Sequence, residues 1–132
     1  MTFIISQCYT HIYIEVRYIA VLSMGESDMD KHIKKVYAPM TETGFYILLC
    51  LREETHGYGI VKKTEQLTGG EIRISPGTLY GSLAKMEKDG LIRFVREEEK
   101  RKVYRITELG TQVLEQEMRR IERLYKSMKE AR

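Results

Sequence analysis

The stretch SPGTLYGSLAKMEKDGLI, residues 75–92, carries the clearest helix start and stop signals of this 132-residue chain. Serine is a favourable N-cap, and proline suits the first helical position because an N–H there has no intrahelical partner. Leu79, Leu83 and Met86 follow at steps of four and three, so they share one face. An Asp-Gly pair then ends the pattern. We predict a helix with one apolar face that runs to about Lys88.

Upstream of it, the sequence predicts two helices joined by a tight turn. Thr41 or Thr43 can cap the first helix, whose apolar residues form a wide stripe. Residues 55–59, Thr-His-Gly-Tyr-Gly, are typical of a turn, and the second helix then continues until two glycines stop it at 69–70. The β-branched residues at 72–74 predict a short strand.

Downstream, two strand-like runs at 91–96 and 103–106 flank the charged residues 97–102, which have no apolar side chain to bury. This pattern predicts a solvent-exposed hairpin. Thr107 can cap a long final helix that has a glutamate in its first turn. The apolar residues of this helix step by four and three, which is the spacing of a heptad seam.

The resulting order of elements is helix, helix, short strand, helix, two-stranded hairpin and long helix. That is the connectivity of a winged helix-turn-helix domain. We therefore predict a mainly α fold with a small β-hairpin, in which residues 40–106 form the winged helix-turn-helix domain. Residues 107–132 are expected to form a C-terminal dimerisation helix.

We interpret residues 1–39 as an N-terminal extension that is either disordered or added by a start assigned too far upstream, because further methionines follow. The alternative is an ordered extra strand or helix, since residues 12–18 alternate with the period of an edge strand. Polar and charged residues interrupt the apolar segment 1–22, and no basic residue precedes it. Neither a secretion signal nor a membrane span is expected.

The charge is unevenly distributed along the chain. Residues 55–106 hold 11 basic against 7 acidic residues, whereas residues 40–54 hold 1 against 3. Positive charge therefore gathers in the middle of the chain, where it favours an anionic partner.

The inventory of reactive residues argues against an enzyme. Three histidines are present, two of them in the N-terminal third, and the chain has no phosphate-binding glycine loop, HExxH or CxxC motif. Cys8 and Cys50 are isolated, which indicates a reducing, cytoplasmic location. We expect no catalytic residue, no metal and no cofactor.

Four motifs together resemble the PadR family of bacterial transcriptional regulators: HGYGI at 56–60, SPGTLY at 75–80, GLI at 90–92 and VYRITELG at 103–110. The resemblance covers about residues 40–132. It implies a homodimeric winged-helix repressor with one long dimerising helix and no larger effector domain.

The predicted third helix shows small and polar residues on the face opposite its apolar stripe. A helix enters the DNA major groove only if its leading residues are slim and carry hydroxyls or amines, so Thr78, Ser82 and Lys85 are the best candidates for base or phosphate contact. The alternative is that any exposed helix face is polar. All candidate DNA-binding residues are Ser75, Thr78, Tyr80, Gly81, Ser82, Lys85, His56, Tyr58, Lys100, Arg101 and Lys102.

Several of these candidates have a second interpretation. Tyr80 and Tyr58 can instead pack in the core, His56 can satisfy a turn, and Ser75 can act only as the cap. In the hairpin tip the glutamates at 97–99 repel phosphates, so we expect only its second half to touch DNA.

The final helix carries the expected partner surface, because a long apolar stripe in water is removed when two copies pair. The alternative is packing on the chain's own first helix. The candidate dimer residues are Leu114, Met118, Ile121, Leu124, Tyr125 and Met128. Met118, Ile121 and Tyr125 are also candidates for an effector pocket, or else simple core residues.

Together, these predictions describe a sequence-specific repressor of transcription. It would act as a homodimer on a near-palindromic operator in double-stranded DNA, and a small aromatic or drug-like effector would relieve it. The alternative is a winged-helix module that binds a protein or RNA and no operator.

Overall fold

The computed structural model describes residues 28–132, which form five helices and three strands. In chain order these are α1 (Asp28–Tyr37), α2 (Glu42–Cys50), β1 (Thr55–His56), α3 (Gly57–Leu67), α4 (Pro76–Lys88), β2 (Ile92–Glu98), β3 (Arg101–Ile106) and α5 (Glu108–Ala131). The predicted fold class, mainly α with a small sheet, is confirmed.

The helix starts follow the predicted capping residues. The side chains of Thr41, Ser75 and Thr107 each accept a hydrogen bond from the backbone N–H three residues later. Such a cap satisfies one of the N–H groups that a helix start leaves without a partner. Gly110 in the first turn of α5 is also required, because a Cβ there would lie 2.0 Å from the carbonyl oxygen of Leu91.

Strands β2 and β3 form the hairpin that we call the wing. Its turn is tight and replaces the six-residue charged tip predicted at 97–102. Its turn consists of Glu99 and Lys100, both with positive φ, the combination of a two-residue turn that matches strand twist. The strands continue up to this turn, and opposite charges lie across from each other there, Glu97 opposite Lys102 and Glu98 opposite Arg101.

The third strand is not the predicted one. Residues 72–74 form no strand, whereas Thr55 and His56, predicted as part of a turn, pair with the free edge of β3, so the sheet order is β1-β3-β2. The backbone N–H of Ile72 donates instead to Thr68 Oγ1, at 3.1 Å. A side-chain bond and the burial of Ile74 therefore hold that segment.

The hydrophobic core lies between α2, α4, the start of α5 and the sheet. The predicted stripe of α4 is buried in it throughout, and each such side chain contributes about 1.5–3 kcal/mol. The core also contains Ile47, Leu48, Leu51, Ile60, Leu91, Ile92, Val113 and Leu114.

The compact unit that contains the sheet begins earlier than the predicted boundary at residue 40. It spans Ile33–Arg132, because Ile33 and Tyr37 of α1 are buried in the core. The Tyr37 hydroxyl also donates to Asp89 Oδ2 at 2.7 Å, at the C-terminal end of α4. The strand predicted at 12–18 lies outside the described residues.

Candidate nucleic-acid interface

Helix α4 presents a slim and open face to solvent. Thr78, Gly81 and Lys85 are exposed on it, and Ser82 is half-buried. A Cβ built at Gly77 or Gly81 would meet no atom of another described element within 4 Å, so among residues 28–132 this face has no neighbour. The fold thus leaves room for an outside partner to approach the helix backbone closely.

Ser75 acts as the cap of α4, as one of the two interpretations held. Its Oγ accepts from the N–H of Thr78 at 3.3 Å and donates to Thr78 Oγ1 at 2.9 Å. Its exposed position at the start of α4 still places the hydroxyl beside the open face.

A groove of about 500 Å³ runs between α4, the start of α3 and the wing. Six of the predicted DNA-binding residues line it together: His56, Tyr58, Tyr80, Lys100, Arg101 and Lys102. Ser75, Thr78, Gly81, Ser82 and Lys85 lie outside the groove, on α4. The candidate interface therefore has two adjoining parts, a slim helix face and a cationic groove.

Two tyrosines form the exposed rim of the groove. Tyr80 is 63% exposed and Tyr58 is 58% exposed, so the interpretation of either as a core residue is wrong. Exposed aromatic rings with a hydroxyl suit a partner that offers both apolar and polar atoms.

His56 and Arg101 meet at one end of the groove. His56 Nδ1 accepts from the N–H of Gly59 at 3.1 Å and caps α3, so the interpretation of His56 as a turn-satisfying residue is confirmed. Its ring stacks on Tyr58, with centroids 6.4 Å apart. The Arg101 guanidinium carbon lies 5.4 Å from the centre of the Tyr58 ring, and Arg101 Nη1 lies 3.4 Å from His56 Nε2.

The sequence pointed to neither Glu87 nor Tyr104, which also line the groove. Glu87 is the one carboxylate that the described part of the chain places there. A signal for it exists: Glu87 lies seven residues after Tyr80, and such a spacing places both side chains on the same helix face.

Glu98 of the wing and Glu54, which precedes β1, share Arg96 as an ion-pair partner. Arg96 Nε contacts Glu98 Oε1 at 3.3 Å, and another nitrogen of Arg96 binds Glu54. The hydrogen bond from Arg96 lowers the pKa of Glu54, with smaller contributions from the charges of Arg96, Arg105 and Arg93. Of the three glutamates expected to repel phosphates, Glu98 thus has its charge offset by Arg96.

The predicted dimer residues of α5 fall into two groups. Leu114 is only 2% exposed and packs in the chain's own core, and Met118 packs partly against that core, as the alternative interpretation held. Leu114 therefore has little area left for a partner helix. The other four side chains are between 39% and 53% exposed, and these are Ile121, Leu124, Tyr125 and Met128.

The described residues offer neither a metal centre nor a membrane span. They contain no group of three or more metal-binding side chains. None of their helices has the length and apolar character that a bilayer crossing requires.

A helix with a slim exposed face, preceded by a shorter helix and followed by a hairpin, defines a winged helix-turn-helix protein. The comparison with known proteins then identifies the family. Residues 47–116, more than half of the chain, match the Transcriptional regulator PadR-like family, and the chain belongs to that family. The predicted resemblance is confirmed, and the family is one of transcriptional regulators, not of enzymes.

Two relatives have curated descriptions as regulators. The chain is 35% identical over 78 residues to Transcriptional regulator YqjI of Escherichia coli (strain K12), which covers 59% of this chain and 38% of that protein. It is 38% identical over 74 residues to Transcriptional regulator Rv3488 of Mycobacterium tuberculosis, which covers 54% of this chain and 66% of that protein. The match thus spans less than half of the Escherichia coli relative.

Solved structures share the fold. A PadR family transcription regulator from Clostridium difficile R20291 superposes with a TM-score of 0.58 at 25% identity, over 68% of this chain and 97% of that one. Bacillus subtilis PadR in complex with operator DNA superposes with a TM-score of 0.50 at 29% identity, over 59% of this chain and 47% of that one.

Proposed function

We propose that this chain is a sequence-specific DNA-binding repressor that acts as a homodimer on a near-palindromic operator. The observation that carries the proposal is the groove beside α4, which gathers three cationic and three aromatic residues predicted for DNA contact. The solved Bacillus subtilis relative, which holds operator DNA, supports the same partner for this chain.

In this proposal α4 enters the major groove and the wing lies over the neighbouring backbone. The glycines at 77 and 81 let the helix approach base edges, and Thr78, Ser82 and Lys85 read or position them. A sugar–phosphate strand then runs along the cationic groove, where Lys100, Arg101 and Lys102 meet it.

The homodimer rests on the C-terminal half of α5. Its exposed apolar residues lie on a helix of 24 residues, and pairing with a second copy would remove them from water. Two winged helices related by a two-fold axis would read half-sites roughly 10 base pairs apart.

We further propose that the regulator is cytoplasmic and that a small hydrophobic or aromatic effector relieves repression. Met118, Ile121 and Tyr125 supply the apolar and aromatic surface for it, because paired α5 helices would enclose these side chains.

Fluorescence anisotropy with a labelled fragment of the chain's own promoter tests the proposal. We expect binding whose affinity falls steeply with salt, by a slope of about 0.9 for each phosphate neutralised. Replacement of Lys100, Arg101 and Lys102 by alanine should weaken binding to all sequences, whereas Ser82→Ala should change preference at particular base pairs. If the chain does not bind this DNA but does bind a protein or an RNA, the alternative of a winged-helix module without an operator is favoured instead.

A further inference from the structure

The contact between His56 and Arg101 joins two groups that both donate hydrogen bonds. A neutral imidazole carries one N–H, and a guanidinium has donors only. Because His56 Nδ1 accepts from the Gly59 N–H, the imidazole proton lies on Nε2. The 3.4 Å between His56 Nε2 and Arg101 Nη1 therefore separates two donors, and no hydrogen bond links them.

Arg101 is held at this place by interactions that do not use its donors. Its guanidinium lies over the face of the Tyr58 ring, 5.4 Å from the centroid. The residue opposite Arg101 across the hairpin, Glu98, has its carboxylate at Arg96 Nε. Arg101 and His56 both line the groove, so their donor groups border it.

We propose that His56 and Arg101 together hold one phosphate oxygen of the DNA backbone, with His56 in its neutral form. An oxygen about 2.8 Å from each nitrogen, the length of a charge-assisted hydrogen bond, fits a separation of 3.4 Å between them. The proposal rests on the proposed function, because it assigns a DNA phosphate to this end of the groove.

The neutral form follows from the two contacts of the ring. A proton on Nδ1 would meet the Gly59 N–H, and the resulting cation would lie beside the Arg101 guanidinium. The charged groups that line the rest of the groove are Lys100, Lys102 and the single carboxylate Glu87. His56 Nδ1 accordingly caps α3, and the N–H at His56 Nε2 is an uncharged hydrogen-bond donor.

The substitution His56→Asn separates the two roles. Asparagine is a good N-cap, so α3 keeps its start, but its shorter side chain cannot reach the proposed phosphate. We expect an unchanged thermal midpoint within a few degrees and an affinity for the promoter fragment about tenfold weaker, as for loss of a hydrogen bond to a charged group. Thr41→Asn, the same kind of cap exchange at α2, is the matched control and should bind DNA as the original chain does.

The salt dependence distinguishes a neutral donor from a cation. Because a neutral histidine displaces no counterion, His56→Asn should leave the slope of log affinity against log salt unchanged. Arg101→Gln, which leaves the cap of α3 in place, should weaken binding and reduce the slope by about 0.9. When Arg101→Gln is already present, adding His56→Asn should weaken DNA affinity by clearly less than tenfold. The shared oxygen has then already lost one of its two donors.

The outcomes are separable. If the unsubstituted chain does not bind the promoter fragment, the proposed function itself is overturned. Binding by that chain together with equal binding by His56→Asn overturns the phosphate contact, and a slope reduced by about one in His56→Asn overturns the neutral form. Should His56→Asn fail to fold, the uncharged cap variant His56→Ser takes its place, and additive losses for His56→Ser and Arg101→Gln overturn the shared oxygen.

Discussion

Helices α4 and α5 carry apolar residues at the same alternating steps of four and three, yet the two stripes end in different places. In α4 the stripe is buried throughout within the chain's own core. In α5 burial stops after Glu117, although the stripe continues. A helical period thus shows that a helix has an apolar face, and it does not show what covers that face.

The difference has a geometric cause. Helix α5 has 24 residues and is therefore about 36 Å long, whereas the core beside α2 reaches only its first turns. Glu117 marks the end of the buried part and is itself satisfied there, with Arg120 Nε at 3.0 and 3.1 Å from its two oxygens. Beyond Met118, which packs partly against the core, the apolar side chains of the stripe are exposed.

The largest expected effect comes from truncating the buried stripe. Leu83→Ala should lower the free energy of unfolding by about 2–5 kcal/mol, because it removes buried methyl groups and leaves a cavity in α4's packing. Urea denaturation measures it. Leu124→Ala in the exposed part of α5 is the control and should cost far less, and equal losses at both positions would contradict the contrast between the helices.

Next in size is a charge placed on the exposed stripe. Leu124→Glu should leave the unfolding of the single chain nearly unchanged, since this side chain is half exposed. Sedimentation should show a shift from dimer to monomer, because a charge in the paired face would be buried without a partner. If the variant and the unsubstituted chain sediment with the same mass distribution, α5 is not the dimer surface.

The third prediction concerns the anchoring of α4 by α1. Burial, followed by the hydrogen bond to Asp89 and its charge, raises the pKa of Tyr37 above its ordinary value. The folded state therefore favours the neutral phenol, so this contribution to stability is complete below about pH 10 and is lost as the pH rises through the raised pKa. Tyr37→Phe should cost about 1 kcal/mol at pH 7 and should weaken this alkaline loss.

Urea denaturation between pH 7 and 11 compares Tyr37→Phe with a second variant, Tyr46→Phe. If both variants lose stability in parallel above pH 10, the bond between α1 and α4 is not the source of the pH dependence.

The smallest effect is expected at the open face of α4. Gly81→Ala should raise the free energy of unfolding by about 0.5–1 kcal/mol, because a methyl group there meets no other described element within 4 Å and alanine is the better helix former. Thermal unfolding measures the gain. Gly110→Ala in α5 should instead destabilise strongly, since its Cβ would collide with a carbonyl oxygen; a gain at both glycines would mean that the two faces are equally open.

Much of the fold was predictable because its signals are local. The caps at Ser75 and Thr107, the stripe of α4 and the length of α5 all depend on residues a few positions apart. Strand β1 was missed because two residues have no detectable period and their partner lies far along the chain in β3. The charged tip was predicted too long because single charges indicate solvent exposure, whereas the sheet register places residues of opposite charge across from each other.

The candidate interface divides in the same way. The sequence by itself determined which residues are slim, cationic or aromatic, and in which element each lies, because composition and period are properties of short segments. Only the tertiary structure decided that His56, Tyr58 and Arg101 share one end of a groove, that Leu114 belongs to the core and that Tyr125 is exposed. Those outcomes depend on contacts between distant segments, and such contacts arise only when the core, the sheet register and the helix lengths are set together.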